Sequence, residues 1–254
     1  MFYPFVKVLV LAAVLPLMAC GTPSLSPDSN QSLAGIHATP WALASTGQHP
    51  AAPWQHLTFP GKRPSHFTYE VEDGRDAIAA MAQSSASMLR QKVRVEAADL
   101  GQLRFSWKLP DLIQHADMTT RETDDSPVRI VLAFEGERAQ FSAKNTMLSD
   151  LARLLTGEEM PYATLMYVWC NHCEPGSVIV NPRTDRIRKL AVESGSGKLN
   201  RWVSYERSVR ADYEKVFGEP PGALVSIGIM TDTNNTQSTS RAWYGPLKLV
   251  AAQR

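Results

Sequence analysis

The sequence predicts an all-β domain, an antiparallel sandwich or barrel interrupted by two short helices, and three observations lead there. Leu103, Phe105, Trp107 and Leu109 alternate with Arg104, Ser106 and Lys108, and Val128, Ile130, Leu132 and Phe134 repeat the pattern around Arg129. A two-residue period of this kind marks a half-buried strand. Several further short apolar runs are separated by Pro, Gly, Asn and Asp turns. No regular helical crossover joins them, which disfavours a parallel α/β sheet.

In chain order, strands are predicted over 88–96, 103–109, 128–134, 164–169, 178–180, 187–192, 224–230 and 243–250. The first helix is expected over 149–156, where Leu151, Leu154 and Leu155 share one side before Gly157. The second is expected around 204–217, where Val209, Tyr213, Val216 and Phe217 fall at helical spacing and Gly218 with Pro220 supplies a stop. Both stripes read as core contacts.

The first residues place the protein. One lysine, Lys7, precedes an apolar run from Val8 to Leu15, followed by Leu17-Met18-Ala19-Cys20. This pattern resembles a bacterial lipoprotein signal, with residues 1–19 removed and Cys20 acylated. Each buried CH₂ of an acyl chain contributes about 0.8 kcal/mol, so two or three chains tether durably. Gly21 is not the aspartate associated with retention at the inner membrane. The expected location is therefore the cell envelope, at the outer membrane and facing the periplasm. Residues 20–60, rich in Ser, Pro, Thr, Gly, Ala, Gln and Asn, read as a flexible tether. Residues 61–254 are enough for one β-sandwich domain with a full core.

Residues 1–19 hold one cation, Lys7, and no acid, so the remainder carries 25 basic and 25 acidic side chains. A protein that neutralises several phosphates needs a basic surplus or cluster, so nucleic acid is not the expected partner. The only basic run, Arg186-Ile-Arg-Lys189, reads as an exposed strand or helix face.

Tyr167-Val-Trp-Cys170-Asn-His-Cys173 has the look of a thioredoxin site. A thioredoxin-type thiolate, however, is stabilised by the N-terminus of a following helix. Here Glu174-Pro-Gly176 leads into Ser-Val-Ile-Val180, a turn and then a strand. Zinc would need two further ligands beyond a Cys-x₂-Cys pair, and the other histidines show no ligand-like spacing. Cys170 and Cys173 are therefore expected to form a local disulfide, favoured by an oxidising periplasm, or to remain inert thiols.

A resemblance adds to this reading. Leu103-Arg-Phe-Ser-Trp107, Asp124-Asp125, Arg129, Phe134, Tyr167-Val-Trp169, Gly195, Trp202, Asp212-Tyr213, Phe217-Gly218, Gly228-Ile-Met-Thr-Asp232, Asn235-Thr236 and Tyr244 together resemble a bacterial family catalogued as domain of unknown function 3047. The resemblance covers most of the domain and implies a jelly-roll-like β-sandwich of the galactose-binding or carbohydrate-module type. It implies no activity. Neither Cys170 nor Cys173 belongs to the resembling pattern, and Asn234 stands where a second aspartate is expected.

Function is expected at two acidic loops, Asp124-Asp125 and Asp232-Thr-Asn234-Asn235-Thr. Alternating carboxylates and amide carbonyls can ligate Ca²⁺, close turns by bonding their own backbone, or face a ligand. With Asn234 uncharged, no metal or other cofactor is assigned, and Ca²⁺ stays an alternative. If the loops converge, Arg129 is the natural counter-ion, since three close carboxylates would otherwise repel. Trp169, next to a turn, is the candidate aromatic contact. The expected ligand site is thus Asp124, Asp125, Arg129, Trp169, Asp232, Asn234 and Asn235, in a lipid-anchored, non-catalytic module for a glycan or envelope polymer. Two alternatives remain at this point. A hydrolase would set two carboxyl groups opposite each other at a defined separation. A structural or assembly lipoprotein would show an exposed apolar patch in place of a cleft.

Overall fold

The computed structural model describes residues 54–250 and 252, so Cys20 and the predicted signal and tether up to residue 53 lie outside the described residues. Thirteen strands form two sheets. The seven-stranded sheet runs β1 (Gln55–Thr58), β4 (Ala86–Val95), β11 (Leu224–Asp232), β6 (Ser126–Phe134), β7 (Ala163–Cys170), β9 (Ile187–Ser194) and β8 (Val178–Val180). The second sheet runs β10 (Val203–Ser208), β5 (Gln102–Lys108), β12 (Thr239–Tyr244), β3 (Arg75–Gln83) and β2 (His66–Glu72), with β13 (Lys248–Val250) paired to β5. All pairings are antiparallel except β7 with β9.

The alternating residues do what their period predicts. Leu103, Phe105 and Trp107 of β5 and Ile130, Leu132, Tyr167 and Ile229 of the larger sheet share one core between the layers. The rings of Phe105 and Tyr167 stack across it with centroids 5.5 Å apart. The architecture is a two-layer β-sandwich.

Four differences from the sequence reading have physical causes. The folded part begins before residue 61, because Trp54 is buried in the core and Gln55–Thr58 pair with β4. Strands β2 and β3 lie outside the predicted set: β3 is alanine-rich and buried at consecutive positions Ala77–Ala80, without alternation, while β2 carries the two-residue period at Phe67, Tyr69 and Val71 but is buried only at Phe67. The stretch predicted as helix from 204 is strand to Ser208 and then helix α2 (Val209–Phe217), which starts where Ser208 Oγ accepts from the Ala211 N–H. The strand predicted over 243–250 splits into the end of β12 and β13.

Helix α1 (Ala143–Thr156) is longer than predicted and oriented the other way. It is capped by Ser142 and ends at Gly157, whose φ of 76° suits a residue without Cβ. Its buried side is polar: Asn145 donates to Asp185 Oδ1 (2.7 Å) and accepts from Thr184 Oγ1 (2.7 Å), and Ser149 accepts from Arg138. Leu151, Leu154 and Leu155 therefore point outward with Met147, and Leu154 is 82% exposed. In α2, by contrast, Val209, Tyr213 and Val216 are buried as expected. Among the described residues no helix is long and apolar enough to cross a membrane.

Candidate functional site

Strand β6 is buried on both faces rather than one. Its inward residues meet the other sheet, and at its start the outward Arg129 is covered by the 109–125 loop and the end of β11. Register explains this meeting: Met230 of β11 lies opposite Arg129 and Asp232 opposite Ser126. Two acidic segments about a hundred residues apart in the chain thereby arrive at one place.

Arg129 is the hub. Its Nε donates to Asp232 Oδ1 (2.9 Å) and its Nη2 to Asp232 Oδ2 (3.1 Å), the paired geometry in which a guanidinium fits a carboxylate best. The same Nη2 reaches Asp124 Oδ1 and the Asp124 carbonyl, each at 3.0 Å. Asp232 Oδ1 also accepts from the Ser126 N–H. Asp124 has a second cation, Lys189, whose Nζ lies 2.6 Å from Oδ1 and 3.1 Å from the Met118 carbonyl. Asn181 donates to Asp124 Oδ2 at 3.2 Å.

The chain positions Lys189 on the same outward side of β9 as Ile187 and Ala191, one of which lines the cleft while the other is buried. The basic run at 186–189 is thus not simply an exposed face: Lys189 is fully buried, and Arg186 pairs with Glu219 at 3.0 Å. A lysine at the two-residue period of an apolar strand side was the available signal for this.

Burial and charge compete at each group. Burial pushes Asp232 up to about 6 against the pull of Arg129. At Asp124 burial also pushes upward, but Arg129 and Lys189 hold the carboxyl below its ordinary value. Burial, and then the neighbouring Arg129, lower Lys189 to about 8. At Arg129 burial opposes the charge, yet the two carboxylates raise its pKa. At neutral pH the four groups are two cations and two anions.

Above this network lies an open cleft of about 340 Å³. Asp124, Arg129 and Asp232 contribute to it from below, Asn181, Asn234 and Asn235 at its rim, and Phe59, Met166 and Met230 supply apolar surface. Of the seven residues predicted as ligand contacts, five line this cleft. Asp125 does not. It turns toward the late loop, accepting from the N–H groups of Asn235 (3.1 Å) and Thr236 (2.6 Å) and from the Thr236 hydroxyl (2.7 Å). Its role is to tie the two loops together. Trp169 is the clear correction: it is fully buried in the core with Nε1 donating to the Gly195 carbonyl, because the inward side of β7 needs a large apolar side chain there. It does not line the cleft.

Cys170 and Cys173 are joined by a disulfide, and a turn and strand follow them, as the sequence reading expected of this segment. Among the described residues no group of three or more His, Cys, Asp or Glu is arranged to hold a metal ion.

The family model described as protein of unknown function, DUF3047, matches residues 52–248. The chain belongs to this family. The DUF3047 match spans both sheets and every residue of the Asp124–Arg129–Asp232 network. No curated protein sequence matches the chain. Among solved structures the chain is similar to the xyloglucanase domain of NopAA, a type three effector from Sinorhizobium fredii, in complex with cellobiose. That likeness has 8% identity and a TM-score of 0.40, over 80% of this chain and 94% of that one. It is also similar to CBM28, a carbohydrate-binding module specific for non-crystalline cellulose, at 11% identity and a TM-score of 0.35, over 78% and 88%. A family 29 carbohydrate-binding module complexed with mannohexaose gives 13% identity and a TM-score of 0.27, over 77% and 89%. The sandwich assignment for this DUF3047 member stands on its own strand pairing.

Proposed function

We propose that the domain is a non-catalytic binding module for a glycan or envelope polymer, held at the cell envelope through a lipid on Cys20. The observation that carries the binding reading is the open cleft over a buried, charge-compensated Asp232–Arg129–Asp124–Lys189 network. A sugar presents hydroxyls that both donate and accept, together with apolar C–H faces. The cleft offers matching groups: carboxylate and amide oxygens, guanidinium and amide N–H, and the side chains of Phe59, Met166 and Met230. Because the polar groups are already fixed by one another, little ordering cost falls on binding.

Binding is favoured over cleavage by the same geometry. A glycosidase sets an acid and a second carboxylate on either side of the scissile bond. Here Asp124 and Asp232 both bond the same guanidinium nitrogen from the floor. Asp232 spends its oxygens on Ser126 and Arg129.

Affinity electrophoresis of the purified chain through gels containing soluble polysaccharides tests the proposal. Retardation by at least one glycan is expected, weakened in the Asn181→Ala/Asn235→Ala variant. New reducing ends in the incubated polysaccharide would instead establish the hydrolase reading.

A further inference from the structure

The charge of the cleft is not that of the protein as a whole. Its two floor carboxylates are already matched inside the domain by Arg129 and Lys189. Three more cations, Lys62, Arg121 and Arg183, line the same cleft and are exposed. Among the described residues none of the three forms an ion pair, whereas most of the other arginines do. Counting Asp125 beneath the rim and Asp117, which acts on Lys189, five cations stand against four carboxylates.

A rim asparagine bonds the backbone of Arg121 and of Arg183, and the side chain of Lys62. Asn235 Nδ2 donates to the Arg121 carbonyl at 3.2 Å. The Asn181 side-chain oxygen accepts from the Arg183 N–H at 2.9 Å, and the other end of the same amide bonds Asp124. Asn234, with its amide oxygen turned toward Lys62, accepts from Nζ at 2.8 Å. The three come from separate places in the chain: the β1–β2 loop, the 109–125 loop and the β8–β9 turn. Three separate turns thus deliver positive charge that is in no ion pair among the described residues to one opening.

An uncompensated cationic rim around a polar, hydroxyl-matching floor selects a ligand with negative charge along a sugar chain. We propose that the cleft takes an acidic glycan, whose carboxylates pair with Lys62, Arg121 and Arg183 while its hydroxyls meet Asn181, Asn235 and the floor. The proposal rests on the glycan reading above and names the class of glycan. Guanidinium groups pair with carboxylate and phosphate oxyanions alike, so the sugar and the anion have to be tested separately.

The test is calorimetric titration of the full chain with three probes: a hexameric oligogalacturonate, neutral cellohexaose and inorganic polyphosphate. The acidic hexamer is expected to bind at least tenfold more tightly than cellohexaose, and its affinity should fall between 50 and 500 mM NaCl, as screening of exposed charges requires. The Arg121→Ala/Arg183→Ala variant should bind it about tenfold more weakly with an unchanged Tm, and Arg121→Lys/Arg183→Lys should recover part of the loss. Equal affinity for cellohexaose, unaffected by the alanine pair, would overturn the acidic class and leave the glycan reading standing. Polyphosphate binding as tightly as the oligogalacturonate would show that the anion alone is recognised and overturn the sugar. Binding of none of the three would overturn the glycan reading with it.

Discussion

Replacing Arg129 by methionine removes the one group that bonds both cleft carboxylates and leaves them buried with only Lys189, Ser126 and Asn181 for partners. Arg129 and Asp232 are 3% and 7% exposed at the side chain, so solvent cannot take over the role. Breaking a buried pair by removing one member typically costs about 3–5 kcal/mol, because the survivor's charge is stranded. In a domain of roughly 200 residues each kcal/mol lowers Tm by about 2–4 °C, so the expected fall is on the order of 10 °C at pH 7.5. The sign of the pH dependence separates this cause from a simple packing loss. Without Arg129 the folded pKa of Asp232 rises further above its unfolded value, so the variant's folded state takes up a proton that the unfolded state does not. Its deficit against wild type is then largest above that raised pKa and shrinks as pH falls toward 5. Urea denaturation of both proteins at pH 5.0, 6.0 and 7.5, with unchanged slope as the check on two-state behaviour, measures it. A deficit that is the same at all three pH values, or below about 1 kcal/mol at pH 7.5, would refute the network as described.

Divalent cations should leave the protein unchanged, because Arg129 and Lys189 already occupy the carboxylates. A Ca²⁺ or Mg²⁺ site would instead raise stability by about 2.7 kcal/mol at a hundredfold excess over Kd, and melts with EDTA or either ion would reveal it. Lys189 should titrate near 8 rather than at its ordinary 10.5, so its contribution to stability rises with pH between those two values; side-chain NMR of labelled lysine showing no titration below 10 would exclude this. Serine at Cys170 and Cys173 should cost at most about 2 kcal/mol, the loop-entropy value for so small a ring, and insulin reduction by the wild-type chain should stay at background. Serine at Cys20 should release the protein from the membrane fraction; a membrane fraction unaltered by that change would defeat the anchoring proposal.

Alternation is a property of neighbours in the chain, so β5, whose burial alternates along its length, was legible, whereas β3 was not, since its consecutive residues Ala77–Ala80 are buried on both faces. The helix caps at Gly157 and Gly218 were equally local and equally legible. Which way α1 turns was not. Its leucines faced outward because Asn145 and Ser149 found partners in Thr184, Asp185 and Arg138, contacts that exist only after folding. Trp169 looked available beside its turn for the same reason, since a side chain's place in the core depends on the opposing sheet.

The sequence by itself determined the strand-rich class, the family, the acidic segments at 124–125 and 232–235, and Arg129 as their natural counter-ion. Only the tertiary structure decided that those segments meet, that Lys189 lies beneath them, and that Lys62, Arg121, Asn181 and Arg183 surround the opening. The reason is the β6–β11 register, which sets Asp232 opposite Ser126 and brings its carboxylate to Arg129 across 103 residues of chain. Register between distant strands is chosen by the burial of whole faces, a quantity that no short stretch of sequence contains.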